Sequence, residues 1–203
     1  GRLTVAPYWV PEFTEDPNTS FGALRDEFRE LLRQGVRRQL DDGKTACFLS
    51  GGTDSSTVAG VMAEVTGQPP ASYSIGFEAE GYDEMEYARI AARRFGTDHH
   101  EYYVTPDDLV EGIPRVAAGL DQPFGNSSLL PAYYCALKAK ADGATRMLAG
   151  DGGDELFGGN TRYAKQRVFD WYGTVAGALR RGLLGPVFGL PFVGRAPVLG
   201  KGS

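Results

Sequence analysis

Two glycine-rich stretches hold the residues best suited to chemistry, Ser50-Gly51-Gly52-Thr53-Asp54-Ser55-Ser56 and Gly150-Asp151-Gly152-Gly153-Asp154-Glu155. In the first, the glycines let backbone N–H groups turn inward and approach an oxyanion closely. A helix starting there adds unpaired amides and a partial positive charge. The hydroxyls of Ser50, Ser55 and Ser56 can donate as well. Asp54 is the informative residue, because a carboxylate beside a phosphate repels it. The arrangement makes sense if a Mg²⁺ bridges the two. A plainer reading makes Gly51-Gly52 a turn and Asp54 a helix cap. The spacing and lysine of a Walker A loop are absent.

The second stretch puts three acids, Asp151, Asp154 and Glu155, within five residues. Unpaired, they would repel one another. A bound divalent cation would explain them; so would an exposed acidic turn capping a helix, or a casual Ca²⁺ site.

The elements that must position these stretches are legible from periodicity. Leu24, Phe28, Leu31, Leu32, Val36 and Leu40 recur at helical spacing behind Ser20, a capping residue, and Gly43 follows. Thr45 to Leu49 is a short apolar strand. Val58, Val61, Met62 and Val65 line one face of a helix ending at Gly67. Ala71 to Phe77 is a second strand. Asp83 and Glu86 resemble a capping box for a helix through Ala88, Ala91, Ala92 and Phe95. Glu101 to Val104 is a third strand. Thr105-Pro106 opens another helix, and Ser127 or Ser128 one more. Thr145 to Ala149 is a fourth strand. Strands alternating with helices argue an α/β fold, a parallel sheet with helices on both faces. Ligands in such sheets sit beyond the carboxyl ends of the strands, where strand order reverses. Both glycine-rich stretches directly follow strands, so both are expected at that rim.

The first stretch resembles the S-G-G-x-D-S pyrophosphate loop of the N-type ATP pyrophosphatases. Leu49 to Ser56 is similar to the version in asparagine synthetases, with Thr53 where Leu is usual. Gly150 to Gly159 resembles that family's G-E-G-x-D-E-x-F-G-G-Y segment, with Asp151 in place of Glu and Asn160 in place of Tyr. The resemblance runs from about Pro7 to Tyr163 and implies the adenine-nucleotide α-hydrolase-like fold. It implies ATP and Mg²⁺ as cofactors, with Asp54 and Asp154 as metal ligands. Asp151 and Glu155 fall at catalytic positions. Leu49, Ser50, Gly51, Gly52, Asp54, Ser55, Ser56, Ile75, Gly76, Phe77, Ala149 and Gly150 would hold the nucleotide. Asp83 matches an acidic family position, and the segment from Asp121 to Ser128 resembles the family's D-E-P-x-x-D-x-S stretch near the substrates, with Gln122 and Asn126 replacing acids common there. A late family lysine that assists acyl transfer has no counterpart in this sequence.

The implied reaction is adenylation of a carboxylate, expected to be aspartate, with release of pyrophosphate. Amidation follows, with ammonia from glutamine supplied by a separate glutaminase domain. Ring-closing relatives, the β-lactam synthetases and lasso-peptide cyclases, are an alternative. A non-catalytic nucleotide-binding module is another. On this reading residues 1–19 are an extended lead-in from an N-terminal domain, 20–170 the ATP-binding synthetase domain, and 171–203 a truncated, unassigned tail. Such a fragment is expected to bind ATP–Mg²⁺ and to be incomplete for catalysis.

Composition bounds the rest. A net charge of −5 over 203 residues argues against a broad polyanion-binding surface, so no nucleic-acid partner is expected. Leu183 to Leu199 is apolar, but Gly and Pro interrupt it too often for a spanning helix. Cys47 and Cys135 lie in apolar runs and read as buried thiols, which suits a reducing, cytoplasmic setting. The resemblance allows a homodimer. His99 and His100 point to opposite faces of a strand and are expected to be structural. Tyr133-Tyr134 reads as helix packing. Arg93-Arg94, and the basic residues Arg162, Lys165, Arg167, Arg180 and Arg181, read as solvated surface.

Overall fold

A computed structural model describes residues 3–10, 12, 14, 16–40, 43–77, 85–123, 128–160 and 163. The expectations placed on Asp83, Asn126, Ser127, the late basic residues and Leu183–Leu199 lie outside the described residues. The chain divides into two units, Gly1–Gly150 and Asp151–Ser203.

In the first unit the elements run α1 (Phe21–Gln39), β1 (Thr45–Phe48), α2 (Thr53–Thr66), β2 (Ala71–Phe77), α3 (Met85–Phe95), β3 (Asp98–Val104), α4 (Pro106–Ala118), α5 (Leu129–Ala141) and β4 (Arg146–Leu148). The four strands form one sheet in the order β3-β2-β1-β4, and every pairing is parallel. Strand order therefore runs outward from β1 to β3 and returns to the other side of β1. The reversal falls between β1 and β4, which makes their carboxyl ends the expected ligand crevice.

Side chains alternate across the sheet. Cys47 and Leu49 point into a core with Ala59 and Met62 of α2 and Met85, Ala88, Ala91 and Ala92 of α3. Ala46, Ala71 and Tyr73 point the other way, against Cys135 and Ala139 of α5. Helices thus cover both faces, and full burial of Leu49 and Met62 contributes about 1.5–3 kcal/mol each. Those contributions anchor both sides of the turn between β1 and α2.

Two elements depart from expectation. β3 begins at Asp98, three residues before the strand expected at Glu101, because it pairs with β2 along its whole length, from Ala71↔Asp98 to Phe77↔Val104. Polar Asp98, His99 and His100 gave no apolar signal; the neighbouring strand imposed their conformation. In α1 the helical spacing is right, yet Leu24, Phe28 and Leu31 are exposed and only Val36 is buried. The helix meets the core cluster at its C-terminal end, through Val36 and Leu40.

The second unit, over its described residues, holds one short helix, α6 (Gly153–Phe157). It starts after Gly152 and ends at Gly158, both with positive φ. Among the described residues no helix is long and apolar enough to cross a membrane.

Candidate active site

Leu49 is the last residue the sheet holds before the first glycine-rich turn. Its side chain is 1% exposed. Its N–H donates to the Tyr73 carbonyl at 3.0 Å, and its carbonyl accepts from the Ser74 hydroxyl. The chain leaves the sheet at Ser50. Gly51 has a φ of +83°, a region that L side chains avoid. A Cβ there would also run into the backbone of Tyr87 and Ala88 at the start of α3. Gly52 is the N-cap of α2 and offers no side chain to its amides. The helix therefore starts with donors that no cap has taken.

The serines close the turn on itself. The Ser50 N–H donates to the Ser55 hydroxyl at 3.2 Å, and the two hydroxyls lie 3.0 Å apart. The Gly52 N–H reaches Ser50 Oγ at 3.3 Å, while Ser55 Oγ donates to the Gly52 carbonyl at 3.3 Å. Ser56 Oγ is buried and has no hydrogen-bond partner among the described residues. A buried hydroxyl in that state costs about 1–3 kcal/mol until something bonds to it.

Gly150, past the end of β4, presses on the first turn of α2. A Cβ there would lie 2.7 Å from the Asp54 carbonyl carbon and 2.8 Å from Asp54 Cβ. The crevice between β1 and β4 thus brings Gly150 against Asp54 and Ser55. At the end of β2, Ile75 and Phe77 are half-buried and Gly76 is buried. The Tyr103 ring occupies the space a Gly76 side chain would need, 2.6 Å from its position.

An uncapped helix start, a left-handed glycine, an orphaned hydroxyl and a neighbouring carboxylate suit a phosphate chain with a divalent cation. No group of three or more His, Cys, Asp or Glu side chains stands together as a metal cage among the described residues. Magnesium needs no such cage. It uses one or two carboxylates and completes its shell with phosphate and water oxygens.

In the second unit Asp151, Asp154 and Glu155 are all exposed. The Asp154 carbonyl accepts the Gly158 N–H at 2.8 Å and the Gly159 N–H at 3.3 Å. Its carboxylate fills the space beside Gly159 where a side chain would go.

Other polar residues have structural partners. Cys47 and Cys135 are buried free thiols, and burial pushes each up to about 12. His99 and His100 do face opposite ways. His99 Nδ1 meets Ser72 Oγ at 3.0 Å, whereas His100 stacks on Tyr73 with ring centroids 4.7 Å apart. Tyr133 and Tyr134 pack edge to face, and Arg93 and Arg94 are exposed. Two contributors escaped the sequence reading, Ser74 and the Tyr87 backbone behind Gly51. Ser72 and Ser74 share one face of an otherwise apolar central strand, and buried hydroxyls there demand partners. That was the available signal for Ser74; Tyr87 gave none.

A family described as asparagine synthase matches residues 27–192. A Methanocaldococcus jannaschii protein named as an asparagine synthetase (glutamine-hydrolysing) is 41% identical, covering 75% of this chain and 29% of its own length. Asparagine synthetase (glutamine-hydrolysing) 1 of Bacillus subtilis is 28% identical, over 91% of this chain and 29% of its own length. The chain therefore spans under a third of these relatives. Among solved structures, an NH3-dependent NAD synthetase from Campylobacter jejuni is similar at 10% identity and a TM-score of 0.44, over 70% of this chain and 62% of that one. That likeness is too low to add to the fold derived above. With an uncapped, glycine-opened helix start at the reversal of its sheet and a family match across most of its length, this chain belongs to the asparagine synthase family.

Proposed function

We propose that the chain is the nucleotide-binding part of an ATP-dependent amide-forming ligase. Its carboxylate substrate is aspartate. That carboxylate attacks the α-phosphorus of ATP, and pyrophosphate leaves into the turn from Ser50 to Ser56. The amides heading α2 and the hydroxyls of Ser50, Ser55 and Ser56 take up the departing charge. Ammonia derived from glutamine then displaces AMP and forms the amide.

The roles follow from chemistry and family position. Leu49, Ile75, Gly76, Phe77, Ala149 and Gly150 flank the adenine and ribose. Asp54 is a magnesium ligand, and Asp154 is proposed as a second on the family resemblance alone. Held there, a magnesium ion would supply positive charge that offsets the phosphates. Asp151 and Glu155 are proposed to act on the acyl transfer, with Asp151 one methylene shorter than the Glu of the resembled segment. A glutaminase partner is part of the same proposal.

The supporting observation is the turn at the strand-order reversal, where Gly51 and Gly150 let backbone close in and Gly52 leaves the start of α2 without a side-chain cap. The test is isotope exchange between pyrophosphate and ATP in the full-length protein. Exchange is expected only with aspartate present, and Asp54→Ala is expected to lower it on the order of 100-fold. Exchange unchanged in that variant would remove the metal role from Asp54. A cyclic product formed without ammonia would favour the ring-closing alternative.

A further inference from the structure

α5 packs on β1 and β2. Toward β3 it leaves a cavity of about 140 Å³, lined by Tyr73 and Ile75 of β2, Tyr102 of β3, and Cys135, Lys138 and Asp142 at the α5 side. Glu101 also borders it, but Arg89 of α3 holds that carboxylate on the opposite face of the sheet, at 2.8 and 2.6 Å.

Lys138 and Asp142 stand four residues apart, about 6 Å along the helix. Opposite charges at that spacing can pair, less well in this order than in the reverse. Here each is held by a tyrosine of the sheet instead. The Lys138 ammonium lies 4.0 Å from the centre of the Tyr102 ring, and among the described residues it makes no ion pair. The Asp142 carboxylate accepts the Tyr73 hydroxyl at 2.9 Å and lies 3.7 Å from His100 Nδ1. The other ring nitrogen of His100 faces Asp98 at 3.3 Å. An ammonium and a carboxylate each have several bonding directions, and these contacts use few of them. One positive and one negative group are thus fixed at separate points of a single cavity.

A simple anion or cation would answer only one of them. An α-amino acid carries an ammonium and a carboxylate on the same carbon, and with a charge-assisted hydrogen bond at each end it can bridge about 6 Å. A cavity of about 150 Å³ takes benzene. The room here therefore suits a small side chain, set against Ile75 and Cys135, and excludes a large aromatic one. The Asp142 end lies at the amino edge of the sheet, because the Asp142 carbonyl accepts from Lys44 Nζ, just ahead of β1, at 2.9 Å. The Ser50 turn follows the carboxyl end of β1, so the two sites are separate.

We propose that this cavity binds a small α-amino acid, its carboxylate on Lys138 and its ammonium on Asp142. The site goes beyond the ATP-binding reading and stands without it.

The test is calorimetric titration of the full-length protein with L-alanine, which is expected to bind. Ethylamine lacks its carboxylate and propionate lacks its ammonium; each should bind at least about tenfold more weakly. Lys138→Met keeps the stem over Tyr102, and Asp142→Asn keeps an acceptor for the Tyr73 hydroxyl. Each variant should weaken L-alanine about tenfold or more, whereas Asp54→Ala should leave it unchanged. No binding at millimolar L-alanine would overturn the proposal, as would an analogue bound as tightly, or cavity variants that bind L-alanine normally. Binding lost in Asp54→Ala instead would put the amino acid at the Ser50 turn and overturn it too. The analogue series uses the wild type alone, so it decides even if a variant does not fold. The titration needs no ATP and no turnover. Failure of the adenylation reading would show in pyrophosphate exchange and leave this result standing.

Discussion

At Gly51 the backbone φ of +83° and the closeness of Tyr87 act on the same absent atom, the Cβ. A left-handed non-glycine residue costs about 1–3 kcal/mol. The clash adds to that, because the obstacle is backbone and no rotamer change relieves it. Gly51→Ala is therefore expected to lower stability by at least about 1–3 kcal/mol. It should also push the turn off α3 and abolish pyrophosphate exchange. Thermal melting and the exchange assay read the two effects separately; an alanine variant with wild-type exchange would show that the turn does not need its observed shape. Serines 50, 55 and 56 are different. They tolerate many backbones, and their value lies in hydroxyls, one of which, Ser56 Oγ, still lacks a partner among the described residues.

Among the elements, α4 shows how local sequence sets a boundary. Thr105 caps it, and Pro106 fills the first helical position. The Asp108 N–H donates to Thr105 Oγ1 at 3.2 Å, and the Thr105 N–H returns a bond to Asp108 Oδ2 at 2.8 Å. Those bonds to Thr105, aided by the Tyr102 hydroxyl, hold the Asp108 carboxyl below its ordinary range. Thr105→Ala is expected to cost about 1 kcal/mol, measured by chemical denaturation, with pyrophosphate exchange unaffected because Thr105 takes no part in the proposed site. A loss of exchange at full stability would mean that α4 does more than pack. α1 makes the opposite point. Its apolar spacing marks a helix correctly, yet spacing cannot say how far along a neighbour will cover it.

For the whole molecule, the sheet divides two cores and carries on one side a polar network that runs from buried Ser72 out to exposed Glu101 and Arg89. His99 sits there between Ser72 and Glu101, and Arg89 clamps Glu101 at 2.8 and 2.6 Å. Burial lowers the His99 pKa, with Glu101 opposing and His100 and Arg89 reinforcing. The folded state thus resists a proton that the unfolded chain accepts near pH ~6.5. Stability is fully present above that pH and is lost as pH falls from there toward the lowered folded value. Glu101, held low by Arg89, adds its own loss only at more acid pH. Melting temperature should therefore decline from about pH 7 to pH 5. His99→Asn should flatten that decline, and an equally steep fall in the variant would place the titrating group elsewhere. The sequence by itself determined the order of helices and strands and the two-sided parallel sheet. Those depend on periodicity, glycine placement and charge within a few neighbouring residues. It also put both glycine-rich stretches directly after strands, whereas the order β3-β2-β1-β4, which sets β4 beside β1 and Gly150 against Asp54, came from the structure. Only the tertiary structure decided that β3 begins at Asp98, that Tyr87 backs Gly51, and that Ser74 takes the Leu49 carbonyl. Each joins residues distant along the chain, and a contact of that kind leaves no period in the sequence to read.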